Sequence, residues 1–369
     1  MQPATATATA TTDTTYLAGQ SPHPRDSHIH FDEGPHKYTI QGVDGINPET
    51  DEFTSVTTLV HQHFEHFDAK KVIAAMMRNQ KKWNDPIANA KYYGKTAEEI
   101  EEMWSKAGQE AAAAGTAMHH KIECFYNQPQ QSLAPAPATN SVEFQYFLNF
   151  NREYVSADEG ATLRPYRTEW TVFHEEARIA GSIDMVYEMI EHGTATDTTT
   201  DSTTPVSSHP LPQPTQSSVY CSAFAERCDL VRLSPNDASV ASQQSVAATA
   251  VGGRTPPLVI YDWKRCREIT KTNRANKFAT HPAIEHLPDT NFWHYALQLN
   301  IYKYILQTKY GKTVTDLYLI VLHPEAQNYQ RIKLPNLQTE VAELFEERIR
   351  HFATAAAAAA AAAPAPSAE

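Results

Sequence analysis

The chain has 369 residues, of which 41% are hydrophobic, so it can bury a sizeable core. Its formal net charge of −12 argues against a protein that coats nucleic acid through bulk charge, although a local basic groove is compatible with that charge. No apolar run approaches the roughly 20 residues that span a bilayer, so we expect no membrane partner.

Three segments differ in composition from the rest of the chain. Residues 1–25 are rich in Thr, Ala and Pro, residues 191–255 in Thr, Ser, Pro, Gln and Ala, and residues 353–369 are nearly all Ala and Pro. Such segments bury too little apolar surface to offset the entropy lost on ordering, so we expect them to be disordered. The remainder, residues 26–352 interrupted by the insert at 191–255, has the size of a single domain.

The first half of this domain is predicted to contain a hairpin followed by helices. "HIHFD" and "HKYTIQG" flank a turn at Glu33–Pro35, which is typical of a β-hairpin. Asp68 is a suitable N-cap for a helix over "DAKKVIAAMMRN". A helical pattern runs over residues 96–114 and continues through "GTAMHHKIECFYN", and another covers residues 141–155.

The second half is predicted to form a sheet with two helices. "PYRTEWTVFHEEARIAGSIDMVYEMI" reads as two strands around a tight turn at Glu175–Arg178, and "PPLVIYDWKRC" follows the insert as a third strand. "NFWHYALQLNIYKYILQTKYG" is a long helix that Gly311 closes. The strands "TDLYLIVLHP" and "NYQRIKLP" and the helix "LQTEVAELFEERIRHF" complete the domain. This order predicts an α/β (α+β) fold, with a mixed central sheet flanked by helices.

Two aspartates interrupt the apolar strands. Asp184 lies in "RIAGSIDMVYEMI" and Asp262 in "VIYDWK", and a buried carboxylate is costly unless it is paired, hydrogen-bonded or bound to a metal. Leaving out residues 191–255 reduces their separation from 78 positions to 13, as expected for one hairpin with an expanded loop. Lys264 shares a strand face with Asp262, whereas Trp263 between them points to the opposite face.

Two carboxylates and a lysine at one end of a sheet suit metal-dependent chemistry on phosphates. Clustered carboxylates repel each other, and a divalent cation removes that repulsion. Mg²⁺ prefers oxygen ligands and often joins carboxylates to phosphate oxygens. A bound metal neutralises a phosphodiester and acidifies a water, and a nearby lysine can orient that water. The alternative reading is a purely structural Asp–Lys–Asp network.

These motifs resemble those of the PD-(D/E)XK nuclease superfamily, within it the RecB-like exonucleases, including the mitochondrial genome maintenance exonucleases and related viral and phage nucleases. "GSID" is similar to the first motif and "DWK" to the second. "GTAMHHKIE" resembles the helix motif that supplies a metal-binding histidine, here His119. "QLNIY" resembles a motif whose Gln and Tyr lie near DNA, here Gln298 and Tyr302. The resemblance covers about residues 115–325, apart from the insert.

The resemblance implies a restriction-endonuclease-like fold and a site for Mg²⁺ or Mn²⁺. The implied metal ligands are His119, Asp184, Asp262 and the backbone carbonyl of Trp263, and Lys264 is implied to position the attacking water. Two glutamates are candidates for the edge of the site, each with the alternative of an ordinary surface acid: Glu123, one turn beyond the histidine, and Glu169, in the strand before "GSID".

Further basic residues follow the lysine directly. They are Arg265, Arg267, Lys271 and Arg274, in "KRCREITKTNRANK". Their placement suits phosphate contacts, which give salt-dependent and sequence-independent affinity, with a solvated loop as the alternative. Some RecB-like nucleases hold an iron–sulfur cluster with four cysteines, but the four cysteines here have a different spacing and placement, so we expect no cluster.

The resemblance therefore implies a metal-dependent deoxyribonuclease, an exonuclease acting on single-stranded DNA or DNA ends in repair, replication or genome maintenance. Two alternatives stay open at this point, namely a structure-specific flap endonuclease and a catalytically inactive DNA-binding scaffold. No cysteine pair has CxxC spacing, so a reducing intracellular compartment is expected, and both nucleus and mitochondrion fit.

Overall fold

The computed structural model describes residues 14–128, 141–156, 160–190 and 256–362. The helices are α1 Tyr16–Gln20, α2 Val56–Gln62, α3 Ala69–Arg78, α4 Gln80–Trp83, α5 Ala97–Asn127, α6 Val142–Tyr154, α7 Asn291–Lys309 and α8 Gln338–Ala362. The strands are β1 Ile29–Asp32, β2 Lys37–Ile40, β3 Thr54–Ser55, β4 Leu163–His174, β5 Ile179–Met189, β6 Leu258–Lys264, β7 Val314–Val321 and β8 Gln330–Lys333. Within these ranges no helix is both long enough and apolar enough to cross a membrane.

The strands form a hairpin and a larger mixed sheet. β1 and β2 pair antiparallel around the predicted turn. In the larger sheet, β5 is antiparallel to β4 and β6, β7 is antiparallel to β8, and β6 is parallel to β7. The short strand β3 pairs in parallel with β5 at Ile179 and Ala180. This mixed sheet, with helices packed on both faces, confirms the predicted α/β class.

The sheet separates two apolar layers, one beneath α2, α7 and α8 and the other beneath α5 and α6. Alternate side chains of β6 enter the two layers, as the period of two in a strand requires. Trp263 is 2% exposed and packs edge-on against Phe147 and Phe150 of α6. It therefore lies on the opposite face from Asp262 and Lys264, as predicted.

Local sequence signals explain where the main helices begin. The Asp68 carboxylate accepts a hydrogen bond from the Lys71 backbone nitrogen at 3.0 Å and so caps α3. Thr96 and Glu99 form a capping box at the start of α5. The helical pattern predicted over residues 96–114 and continued through "GTAMHHKIECFYN" forms this one helix, which brings His119 to Asp184.

The folded chain extends beyond the predicted domain limits of 26 and 352 at both ends. Leu17 of α1 is buried, and its backbone nitrogen donates to the Asn127 side chain at 2.9 Å. Arg25 forms an ion pair with Glu175 at 2.6 Å. At the other end α8 continues through Ala362, because alanine has the highest helix propensity. Residues 1–13, 191–255 and 363–369 lie outside the described residues, so the disorder expected there stays a prediction.

Candidate active site

The candidate site lies where β5 lacks a strand partner on one side. On this side β5 pairs with β3 at its start, up to Ala180, and with β6 only from Met185 onwards, where Met185 lies opposite Tyr261. Residues 181–183 therefore pair with β4 alone, and Asp184 is paired with none of the described strands. One further step in the β5–β6 register would bring Asp184 opposite Asp262, so the gap opens at the two predicted aspartates.

His119 and Asp184 meet at this gap. Asp184 Oδ2 accepts a hydrogen bond from the Trp263 backbone nitrogen at 3.0 Å and lies 3.5 Å from His119 Nδ1. His119 Nε2 lies 2.8 Å from the Trp263 carbonyl oxygen. A carbonyl only accepts hydrogen bonds, so Nε2 carries a proton, and Nδ1, the ring nitrogen nearer Asp184, is the one that can bind a metal when the ring is neutral. The carbonyl predicted as a metal ligand thus sets the tautomer in which the imidazole can bind a metal.

Glu169 faces the same gap because of an irregularity in β4. Its φ of 41° lies in the left-handed region, and the β4–β5 register pairs the residues on either side of it without pairing Glu169 and Asp184. The Ser182 hydroxyl donates to Glu169 Oε2 at 2.9 Å. Burial, followed by the nearby Asp184 carboxylate, raises the pKa of Glu169 to about 7. Strained backbone of this kind is often found at functional sites.

Three donor atoms come together at this point. His119, Glu169 and Asp184 each contribute one donor atom, and the three atoms lie within 4.8 Å of one another. Within the described ranges this is the group of three or more potential metal ligands. Carboxylate oxygens suit Mg²⁺ and Mn²⁺, and an imidazole nitrogen favours transition metals. The predicted ligand set is therefore brought together in part: Glu169, expected at the edge, is a member, and Asp262 is not.

Asp262 instead faces Lys264. Asp262 is 2% exposed, and its Oδ2 lies 2.7 Å from Lys264 Nζ. The two atoms are at ion-pair distance, but this buried oxygen has no aligned hydrogen-bond donor, and such an atom is costly. Burial and the Asp184 carboxylate raise the pKa of Asp262 to about 6, against the opposing effect of Lys264. An under-satisfied buried carboxylate oxygen beside three metal donors fits a divalent cation.

Lys264 is held in its charged form. Burial alone would lower its pKa, but the Asp262 and Asp184 carboxylates outweigh burial and raise it. The ammonium nitrogen also lies 4.6 Å from the centre of the Tyr295 ring, on the side of the sheet covered by α7. Lys264 therefore presents a fixed positive charge and hydrogen-bond donors to the site.

Gln298 and Tyr302 lie one turn apart on α7, but only Gln298 is accessible. Tyr302 is 4% exposed, and its hydroxyl interacts electrostatically with the Gln298 side chain. Burial, with smaller effects of Tyr38 and Asp184, raises the pKa of Tyr302 well above its usual value. The Tyr302 ring packs directly over Gly181, where a Cβ atom would lie 2.8 Å from Tyr302 Cε1. Tyr302 therefore lies beneath the site, and Gln298 is the member of the pair that a ligand can reach.

The remaining predicted residues differ in their accessibility. Glu123 Oε2 lies 3.6 Å from Nδ1 of His120, the neighbour of His119, and its charge helps to raise the pKa of Glu169. Arg265 is tied to Glu143 at 2.7 Å and so anchors β6 to α6. The other three predicted phosphate contacts are exposed: Arg267, paired with exposed Glu325 at 3.1 Å, Lys271, whose Nζ lies 4.7 Å from the Phe292 ring centre, and Arg274.

The sequence analysis did not single out Ser182, although its hydroxyl holds Glu169. The available signal was its place two residues before Asp184, which puts both on one strand face.

A scan against protein-family models and a search of curated proteins found no match. Functional interpretation therefore starts from the motifs and their geometry.

Proposed function

We propose that this protein is a metal-dependent deoxyribonuclease of the RecB-like PD-(D/E)XK kind, an exonuclease acting on single-stranded DNA or DNA ends. The observation that carries the proposal is the convergence of His119, Glu169 and Asp184 within 4.8 Å beside the buried pair of Asp262 and Lys264. A structural ion pair of Asp262 and Lys264 would need neither the two further carboxylates nor the imidazole that converge beside it.

His119, Glu169 and Asp184 would hold Mg²⁺ or Mn²⁺, with the under-satisfied Asp262 oxygen beside them. Such a cation, when bound, neutralises charge on a phosphodiester and lowers the pKa of a bound water. The Trp263 carbonyl accepts from Nε2 and so leaves Nδ1 as the nitrogen for this role.

Lys264 has a different task. A lysine whose pKa is raised stays protonated and has no lone pair with which to take a proton from water. Its ammonium group therefore orients the attacking oxygen by donating a hydrogen bond, and it stabilises negative charge on the reacting phosphate. Gln298, above the buried Tyr302, contributes an amide that can hold the substrate strand.

The test is digestion of 5′- and 3′-labelled single- and double-stranded DNA in Mg²⁺, in Mn²⁺ and in chelator. Wild type should release labelled products only with metal, and Lys264→Met and Asp184→Asn should release none. Lys37→Met, an exposed lysine on the β1–β2 hairpin, is the matched control and should cleave normally. A circular single strand separates the modes, because an exonuclease leaves it intact. Full cleavage by Lys264→Met, or no cleavage by wild type, would refute the proposal.

A further inference from the structure

A second concave surface lies away from the gap in the sheet. It is a cavity of about 650 Å³ lined by α3, α4, the segment that leads into α5, and Lys277 of the loop after β6. We call it the basic groove. Its lining combines lysines with aromatic rings, and neither set was singled out by the motifs of the candidate active site.

The basic groove has a local positive charge in a chain whose net charge is −12. Four lysines line it: Lys71, Lys82, Lys91 and Lys277. Its two lining acids are Glu65, shared by Lys71 at 3.4 Å and Lys277 at 2.7 Å, and Asp68, whose carboxylate caps α3. Lys82 and Lys91 have no acidic partner within the described part of the chain. Both are exposed and available to an anionic ligand.

Aromatic rings form the apolar part of the basic groove. Phe67, Trp83 and Tyr92 line it, and Phe67 is 64% exposed, which is unusual for a phenylalanine. Trp104 of α5 supports this set from behind, because its ring centre lies 6.1 Å from that of Phe67 and its Nε1 donates to the Tyr92 hydroxyl at 2.9 Å. The rings are thus held in place, with the Phe67 side chain largely open to solvent.

Two elements connect the basic groove to the candidate active site. α5 carries Trp104 behind the groove and His119 fifteen residues later, a distance of about 22 Å along a helix axis. The loop after β6 starts at Lys264 and reaches the groove at Lys277, with exposed Lys271 and Arg274 between them. The loop that joins the two sites therefore carries two exposed cations, Lys271 and Arg274, that could contact phosphates between them.

We propose that the basic groove binds a second segment of the single strand whose end occupies the candidate active site. Bases stack on Phe67 and its neighbouring rings, and Lys82 and Lys91 pair with phosphates. A duplex hides the faces of its bases, so open aromatic rings bordered by lysines favour a single strand. This inference rests on the proposed function for the identity of the polymer as DNA.

The test measures affinity rather than cleavage. Binding of a fluorescein-labelled oligothymidine of about 20 nucleotides is followed by anisotropy in chelator. Phe67→Ala should weaken binding at least about fivefold, because base–aromatic stacking contributes that much or more per base. Lys82→Gln combined with Lys91→Gln should reduce the slope of log K against log salt by about 1.4, since each lost phosphate contact on a single strand removes about 0.7.

Matched controls are Tyr16→Ala, an exposed aromatic residue on α1, and Lys106→Gln, an exposed lysine on α5 outside the groove lining. Both should bind like wild type. Melting curves check that each variant is folded. We expect them all to fold, because the substituted side chains are exposed and surface substitutions change stability little. A labelled duplex of equal length is the second probe, and Phe67→Ala should leave its binding unchanged.

Wild-type affinity and salt slope in the groove variants would overturn the inference, and so would equal weakening of single strand and duplex by Phe67→Ala. The outcome is separable from that of the proposed function. Loss of oligothymidine binding in Phe67→Ala supports the groove even if wild type cleaves no DNA. Conversely, metal-dependent cleavage that Lys264→Met abolishes supports the nuclease even if Phe67→Ala binds normally.

Discussion

Replacing Gly181 by alanine should destabilise the protein, because β5 passes directly beneath α7 and α2. The new Cβ atom would lie 2.8 Å from Tyr302 Cε1, 2.9 Å from the Tyr302 hydroxyl and 2.9 Å from Val56 Cγ2. Both neighbours are buried, so neither side chain can move away freely. Overpacking of a core costs about 1–3 kcal/mol, and three short contacts with two helices place this substitution near the upper end, at about 2–3 kcal/mol.

The same change should also reduce cleavage. The Tyr302 hydroxyl lies close enough to Gln298 and Asp184 to interact with both electrostatically. Displacing this ring moves the floor of the candidate site, and an error of about 1 Å in a catalytic arrangement can cost about 10²-fold in rate.

Urea unfolding followed by tryptophan fluorescence measures the free energy of unfolding. Gly108→Ala is the matched control, because its Cβ would meet nothing within 4 Å, and alanine in a helix should stabilise α5 by about 0.5–1 kcal/mol. Adding Val56→Ala to Gly181→Ala removes one of the three contacts, so the double variant should lose less stability than the sum of the single losses. Unchanged stability of Gly181→Ala, or strict additivity, would refute the packing argument.

Three further predictions concern charge and metal. Asp262→Ala should lower the free energy of unfolding of the metal-free protein by about 3–5 kcal/mol, because it leaves the buried Lys264 ammonium without its carboxylate. The double variant Asp262→Ala with Lys264→Met should lose less stability, because it removes both charges. Urea unfolding in chelator measures both changes. Burial, followed by the charge of Lys309, lowers the pKa of His174 to about 4, whereas its unfolded-state pKa is about 6.5, so the unfolded chain binds the proton first as pH falls. The contribution of His174 to the free energy of unfolding should therefore be fully present above about pH 6.5 and fall by about 1–3 kcal/mol towards pH 4. His174→Gln should flatten this decline in thermal melts recorded at a series of pH values. Mg²⁺ or Mn²⁺ at about 100 times its Kd should stabilise wild type by about 2.7 kcal/mol in thermal melts, and an equal shift in Asp184→Asn would contradict the assigned ligands.

The order of the elements follows from local sequence patterns. Apolar alternation in "GSIDMVYEMI" and "PPLVIYDWK" predicts two buried strands, and a hairpin between them was inferred from the short spacing that remains without residues 191–255. Helix starts such as Asp68 were equally visible, because a cap acts within one turn of its own residue. The ends of the fold were less visible, since Leu17 and Arg25 are held by contacts with residues remote along the chain and show no period.

The membership of the candidate site was decided by tertiary structure. Glu169 turns into the gap through a left-handed residue in β4, Asp262 faces Lys264, and Arg265 is tied to Glu143. Lys264 shares the strand face of Asp262 through the period of two, so that pair was visible in the sequence. The entry of Glu169 into the gap and the contact of Arg265 with Glu143 have no such signal, because they depend on how separate elements pack together. The sequence by itself therefore determined which strands exist and that their aspartates need a partner. Packing determined which of the carboxylates come together, because the spacing of residues along a chain does not fix their distances across a fold.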